Sequence, residues 1–383
     1  MDFEFTEEQR MIKNNVQRFL EKEIQPLIEE HERERKFVSK EIMKKLTPFK
    51  FVGGLLPEEV GGGGLDYTTY FLIIEELAKV WGSLRGRISI TNAVLTHIYE
   101  YGNDQQKEAF LGPLLAGDTI GFFGLTEPNV GSDTASIQTT AALRSKTWVL
   151  NGTKTFITNG LDAEIGLVIA QTDKTKGING TAAFIVEKEK TQYLTRPIEK
   201  MGMHCCPTAE IVFEDAQVPA ENLLGRVGDG LRQGLKFLNE GRVLVAFVCT
   251  GTAQACVDAA IKYARERVQF GKTIGSFQLI QAKIADMLTL TNAMRLLCLQ
   301  ASSMMDKGLP CRKEASMAKL FASEEALKVA EQAIQIHGGY GYSQEFPVER
   351  YYRDIRHLTI AEGTSEIQRL FIGREVLGVS AFK

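Results

Sequence analysis

The spacing of apolar positions changes twice along the chain. Up to about residue 120, apolar residues recur at three- and four-residue steps, as in Met11, Ile12, Val16, Phe19 and Leu20, the stripe of an amphipathic helix. Thr6-Glu7-Glu8-Gln9 has the form of a capping box, and Pro26 predicts a break or kink. Between about 121 and 230 the period shortens to two. Trp148-Val149-Leu150, Asn151-Gly152 and Lys154-Thr155-Phe156-Ile157 read as two strands joined by a type I′ turn. Residues 165–171, 181–186 and 210–213 read as further strands of a compact antiparallel domain. From about 231 helical spacing returns over 253–267, 277–307 and 315–336, stripes that suit a bundle core. The expected class is α+β: an N-terminal helical domain (1–120), a central antiparallel β domain (121–230) and a C-terminal helical bundle (231–383).

Composition narrows the function classes. The 383-residue chain carries 45 basic and 48 acidic side chains, a net charge of −3. That balance leaves no electrostatic footprint for nucleic acid, and no Lys/Arg block marks a membrane surface. No apolar run reaches the roughly 18–20 residues that a bilayer-spanning helix needs, so no membrane insertion is expected. The acidic opening Met1-Asp2-Phe3-Glu4-Phe5 is unlike a signal or transit peptide. A cytoplasmic location is expected, or the mitochondrial matrix if a transit peptide has been removed. The six cysteines (Cys205, Cys206, Cys249, Cys256, Cys298, Cys311) lack metal-ligand spacing and read as free thiols in a reducing compartment. Adjacent His204, Cys205 and Cys206 are poorly placed to chelate one ion, and no metal is expected. Gly61-Gly62-Gly63-Gly64 lacks the Lys-Ser/Thr of a phosphate loop and reads as a flexible turn.

Chemistry gathers in a few short segments. Glu362 is a lone carboxylate in Leu358-Thr359-Ile360-Ala361-Glu362-Gly363-Thr364-Ser365. Partial desolvation there would raise its pKa toward the range of a base; a solvated or capping side chain is the alternative. Gly363 lets the backbone approach a ligand, and Thr364 adds a hydroxyl. The polar turn 124–133 offers hydroxyls and backbone N–H groups that suit phosphate or a heteroaromatic ring edge. Phe156-Ile157-Thr158-Asn159-Gly160 places an aromatic and a hydroxyl at alternating positions; a core aromatic with a surface threonine is equally compatible. Arg265-Glu266-Arg267-Val268-Gln269-Phe270-Gly271-Lys272, continuing to Phe277-Gln278, suits a pyrophosphate beside a flat ring, or is a solvated helix end. Gln335-Ile336-His337-Gly338-Gly339-Tyr340-Gly341-Tyr342 exposes more backbone than a one-glycine C-cap requires.

Together these segments resemble the acyl-CoA dehydrogenase family over the length of the chain. Gly338, Gly339, Gly341, Glu345, Arg350 and Asp354 match one family signature, and 124–136 matches the other except at Val130, where the family has a smaller residue. The resemblance implies that the C-terminal bundle has four helices, that FAD binds between β domain and bundle, that the protein is a homotetramer, and that an electron-transferring flavoprotein takes the electrons. By motif position, Phe123, Leu125, Thr126 and Ser132 would line the flavin, with Ser132 also near the CoA. Phe156, where many members have Trp, would cover the isoalloxazine, and Thr158 would approach N5. Arg267, Phe270, Gln278, Gln335, Gly338 and Gly339, with Phe277 beside them, would reach the FAD of a neighbouring subunit. Thr364 and Glu366 complete the cofactor shell. Asn239, Arg242, Gly363 and Arg374 fall at positions that contact acyl-CoA.

The implied reaction is α,β-dehydrogenation of an acyl-CoA thioester to the 2-enoyl-CoA. Glu362 would take the α-proton, flavin N5 the β-hydride, and the Glu362 N–H would help polarise the thioester carbonyl. Some relatives carry the base just before the arginine matching Arg242; here that position is Gly241, and Glu240 is one residue off. Ala361 stands where several straight-chain enzymes have Tyr, leaving room for a short, branched, cyclic or aryl group. Arg85 and Arg87 fall in a segment (81–90) that lines the distal acyl pocket in the family. A buried arginine there, Arg87 above all, would need an anion such as a substrate carboxylate, unless the pair is structural. Within the family, glutaryl-CoA-type oxidative decarboxylation and enoyl-CoA reduction are the alternatives. A non-catalytic binding or assembly protein on the same fold is a different class, against which the intact Glu362 argues.

Overall fold

The structure, a computed structural model, describes residues 5–381. Residues 1–4 of the acidic opening lie outside the described residues. Thr6 caps α1 (Glu7–Phe19): its side chain accepts from the Gln9 amide while the Gln9 side chain accepts from the Thr6 N–H. One π-helical turn (Leu20–Ile24) precedes α2 (Gln25–Glu34), which carries Pro26 in its first turn, where a missing N–H costs least. After the short α3 (Lys40–Lys44), the loop holding Gly61–Gly64 leads into α4 (Tyr67–Val80), then α5 (Gly82–Tyr101) and α6 (Asp104–Leu115). α4 and α5 are buried over most of their lengths, so α5 runs through the interior.

The middle of the chain forms β1 (Gly121–Gly124), β2 (Thr140–Arg144), β3 (Thr147–Thr158), β4 (Ile165–Gln171), β5 (Thr181–Glu187), β6 (Leu194–Pro197), β7 (Thr208–Pro219) and β8 (Leu223–Leu224). They make one eight-stranded sheet in the order β6-β7-β3-β2-β4-β5-β8, with β1 paired to β4. The sheet is mixed rather than wholly antiparallel: β1 and β2 each run parallel to β4. The β2–β3 excursion supplies the long connection that a parallel β1/β4 pair requires. Asn151-Gly152 is not a hairpin turn. β3 runs straight through it with a bulge against β7, and Asn151 exchanges hydrogen bonds with Asp215 across the strands. The turn lies instead at Ser145, whose φ is +58°. A second bulge, between Lys154 and Ile157, puts Phe156 at φ +57° and turns its ring out of the sheet, 66% exposed.

The third block comprises α7 (Gly230–Glu266), the hairpin β9 (Val268–Gln269)–β10 (Lys272–Thr273), α8 (Gln278–Asp306), α9 (Arg312–His337), α10 (Val348–Ile355) and α11 (Ser365–Leu377). α7 starts well before the expected 253 and packs on α4, α8 and α9. It also corrects the expectation about apolar runs, being long and apolar enough to cross a membrane by length and composition. Its apolar window is 72% buried inside the protein, as in the core helix of a packed bundle. Ala315, Ala318, Ala322 and Ala326 present a small-residue face that brings α9 close to its neighbours.

One buried ion pair fixes the loop after β1. Lys154 on β3, fully buried, donates to Glu127 Oε1 at 2.7 Å and to the Leu125 carbonyl at 3.1 Å. Glu127 also accepts from the Gln138 and Thr139 amides at 2.7 and 2.9 Å. Burial pushes its carboxyl up, but Lys154 and these donors bring it below the usual carboxylate range. Lys154→Met would strand a buried carboxylate and should lower stability by ~3–5 kcal/mol. Urea unfolding should show this, and Glu127→Leu added to Lys154→Met should recover part of the loss.

Candidate active site

Glu362 sits between the 3₁₀ turn Arg356–Thr359 and α11, at φ +56°, and Gly363 follows at φ +89°. Two successive left-handed residues turn the chain sharply, and a side chain on Gly363 would run into Gln368 Nε2 at 2.8 Å. Thr364 then caps α11, its hydroxyl accepting from the Ile367 amide at 3.3 Å, with exposed Glu366 in the first turn. Ala361, half-buried, donates its N–H to the His357 carbonyl.

The Glu362 carboxylate points at α7. A Cβ at Gly241 would lie 3.0 Å from Oε2, so the missing side chain at 241 makes the space that the carboxylate occupies. Oε2 is buried with no hydrogen-bond partner. Burial raises the Glu362 pKa, while Arg242, Lys319 and Arg85 pull it back. Arg242 is buried on α7, donates to Asn239 Oδ1 at 3.0 Å and stacks on Phe371 at 4.5 Å. Burial brings its guanidinium down to about 10. Glu240 faces elsewhere: burial, then Glu100, lift it to about 7, and its field is felt at Tyr67 and Tyr70. Arg374 is exposed in the last turn of α11.

The two arginines of α5 have different fates. Arg87, expected to await a substrate anion, is fully buried and donates from one nitrogen to both oxygens of Asp162, at 2.9 and 3.0 Å. Its counter-charge comes from the protein, so its role there is structural. Arg85, 6% exposed, forms no ion pair among the described residues. Its guanidinium makes one hydrogen bond among the described residues, to Met203 Sδ at 3.9 Å, and Nε has no partner. Ser89, one helical turn on, is also buried with its hydroxyl unpartnered. Burial lowers the Arg85 pKa, and Glu362 is among the groups that raise it. Sequence reasoning overlooked Ser89, although its i+4 spacing from Arg85 was a usable signal.

The flavin-type residues fall into two groups. Phe123 lies half-buried near the end of β1, and the Leu125 and Thr126 carbonyls are held by β3, the latter accepting from the Thr155 amide at 2.9 Å. Glu127 and Val130 close the following turn with mutual backbone bonds of 3.0 Å, and Val130 points inward, 3% exposed. The extra bulk at 130 thus goes into the core. Ser132 is exposed, Phe156 projects from its bulge and Thr158 is half-buried. The second group lies at the α7–α8 hairpin and the end of α9. Arg267 lies over the Tyr340 ring at 5.5 Å, Phe270 is 94% exposed and meets Phe277 edge-on, and Gln278 and Gln335 are exposed. Nothing lies within 4 Å of where a Cβ on Gly338 or Gly339 would stand. A guanidinium, amide side chains and open backbone suit a diphosphate; an outward ring beside hydroxyls suits a flat heteroaromatic. The residues present therefore fit FAD.

Comparison with known proteins agrees with this geometry. Family profiles described as the acyl-CoA dehydrogenase N-terminal, middle and C-terminal domains match residues 6–118, 122–216 and 228–377. The caffeyl-CoA reductase-Etf complex subunit CarC of Acetobacterium woodii is 41% identical, over 97% of this chain and 99% of its own. Butyryl-CoA dehydrogenase from Megasphaera elsdenii superposes with a TM-score of 0.93 at 40% identity, covering 98% of this chain and all of its own. The glutaryl-CoA complex of a glutaryl-CoA dehydrogenase gives 0.95 at 37%, covering 99% and 97%. With all three of its blocks matched by the family's profiles, the chain belongs to the acyl-CoA dehydrogenase family of oxidoreductases.

Proposed function

We propose that this enzyme dehydrogenates a short acyl-CoA whose far end carries a carboxylate, with Arg85 as the counter-ion. The observation that carries the reading is Arg85 itself: a buried guanidinium with no ion-pair partner, beside an unpartnered Ser89 hydroxyl, within the field of Glu362. An unpaired buried charge is costly, and a ligand carboxylate together with the serine hydroxyl would satisfy it. The small Ala361 beside the base leaves room for such a group. The structural relative holding glutaryl-CoA, a thioester with a distal carboxylate, supports the same reading.

The family is FAD-dependent. In this chain Phe123, Leu125, Thr126, Ser132, Phe156, Thr158, Thr364 and Glu366 would hold the ring side of FAD, and the Arg267–Gln278 and Gln335–Gly339 group the diphosphate side. Bound FAD supplies the acceptor for the β-hydride. The chain's own residues do the rest. Glu362 Oε2, unpartnered and buried, removes the α-proton; Asn239, Arg242 and Arg374 hold the CoA side; the packed α5–α7–α9 interior excludes water. The exposed Arg267 group would be completed by a neighbouring copy in a homotetramer. An electron-transferring flavoprotein is the proposed redox partner, as the Etf complex named for the A. woodii relative suggests. That relative, named a reductase, also favours a second reading in which the enzyme runs toward the saturated thioester. Product mass after single turnover separates oxidation, oxidative decarboxylation and reduction.

Glu362→Gln should keep FAD and acyl-CoA binding yet slow flavin reduction by several orders of magnitude, read by stopped-flow absorbance. In the wild type, burial holds the Glu362 pKa above its ordinary value, so reduction should slow as pH falls through that raised pKa and the base becomes protonated. Arg85→Met should raise KM for glutaryl-CoA about 10- to 100-fold, the worth of a charged hydrogen bond, and leave KM for butyryl-CoA nearly unchanged. Equal effects on both substrates would remove the distal carboxylate from the reading. Arg267→Ala should weaken FAD retention and oligomer stability together, measured by flavin absorbance and sedimentation.

A further inference from the structure

Lys319 is a lysine in a wall of alanine. It lies on α9 between buried Ala315, Ala318 and Ala322, is 0% exposed, and forms no ion pair among the described residues. An ammonium in such a place is costly unless something nearby needs its charge. Its ammonium makes one hydrogen bond among the described residues, 2.8 Å long, to the carbonyl of Gly363, directly after the base. The same carbonyl accepts from Gln368 Nε2 at 2.9 Å, and the Glu362 carbonyl accepts from that nitrogen at 3.1 Å. Gln368 too is 0% exposed. The carbonyls of two successive left-handed residues thus converge on one buried amide and one buried ammonium. Left-handed backbone at a residue with a side chain carries strain of about 1 kcal/mol or more, and persists where surrounding bonds over-determine it.

We infer that Lys319, with Gln368, is a positioning residue for the base: it clamps the Gly363 carbonyl and so aims the Glu362 carboxylate at the space left by Gly241. The inference rests on the reading of Glu362 as the base. Lys319 also contributes charge. The groups facing Glu362 are Arg242 from α7, Arg85 from α5 and Lys319 from α9; those around Lys319 are Cys249, Arg242 and Glu324, with Glu366 also within its field. Oε2 has no hydrogen-bond partner, so these cations are what oppose the effect of burial. Removing one should lift the Glu362 pKa further, and the base would then need a higher pH to ionise.

The test follows α-hydrogen exchange into D2O on the holoenzyme by mass spectrometry, using whichever of butyryl-CoA and glutaryl-CoA the wild type oxidises faster. Substrate Kd and thermal unfolding are measured alongside. Loss of exchange in Glu362→Gln tests the reading of the base; retained exchange there would defeat that reading and this inference with it. Given that loss, Lys319→Met should slow exchange about 10- to 100-fold, change Kd less than about threefold, and move the acid limb of the pH profile upward by about one unit. Lys319→Arg, which keeps the charge, should return the limb toward its wild-type position. Lys319→Gln, which keeps a donor without the charge, replaces the methionine variant if that one does not fold, with the same upward shift expected. An unshifted limb with exchange within about threefold of wild type, in either uncharged variant, overturns the inference.

Discussion

A base that is to accept a proton must be left without a partner, and in a dry interior it must still be kept ionised. With Glu362 as the proposed base, that conflict organises the centre of this protein. Glu362 Oε2 is buried and unbonded, and the cations that offset its burial, Arg85, Arg242 and Lys319, come from three different helices. α5 belongs to the N-terminal block, α7 and α9 to the last one. The long α7 packs on both α4 and α9, which gives the field around one carboxylate a rigid geometry. None of the three cations forms an ion pair among the described residues. They are therefore held in place by packing and by bonds to Met203, Asn239 and the Gly363 carbonyl rather than by competing carboxylates.

The sheet contributes a different kind of order. It has no part in the base's electrostatics; its loops and bulges display groups. Lys154 and Glu127 lock the segment that carries Leu125 and Thr126, and the bulge after Lys154 turns Phe156 outward. Both devices act within a few residues of each other on β3, so the loop and the ring keep a fixed relation. The hairpin between α7 and α8 displays its aromatic and cationic groups outward, at the other end of a 37-residue helix from the sheet contacts.

Helices were legible in the sequence because their stripes are long and their caps are local, as at Thr6 and Gln9. The unusual local patterns at Glu362-Gly363-Thr364 and at Gly338 and Gly339 were legible as departures from helix, and they stand at a left-handed turn before α11 and at open backbone after α9. What failed depends on partners distant in sequence. Asn151-Gly152 has the chemistry of a tight turn, but Asp215, more than sixty residues away, holds it within a continuous, bulged strand. Arg85 and Arg87 look alike in a ten-residue window, and only Asp162 decides which of them is neutralised. Lys319 carried a signal that was missed, a charged residue in register with a buried alanine face. Its meaning appears only when Gly363 is found at the end of its side chain.

The contact between Glu362 and Gly241 bears on how such an enzyme can change over generations. A Cβ at 241 would stand 3.0 Å from Glu362 Oε2, so a side chain there would make the carboxylate give way by a few tenths of an ångström. A chain that acquired an acidic residue at 241 while keeping Glu362 would crowd two carboxylates together, with like-charge repulsion between them. With Glu362 as the proposed base, an intermediate that carried a carboxylate on both the α11 loop and α7 would therefore have to move one of them and bear their repulsion. Losing the old carboxylate relieves both costs at once, which makes the location of the base resist gradual change.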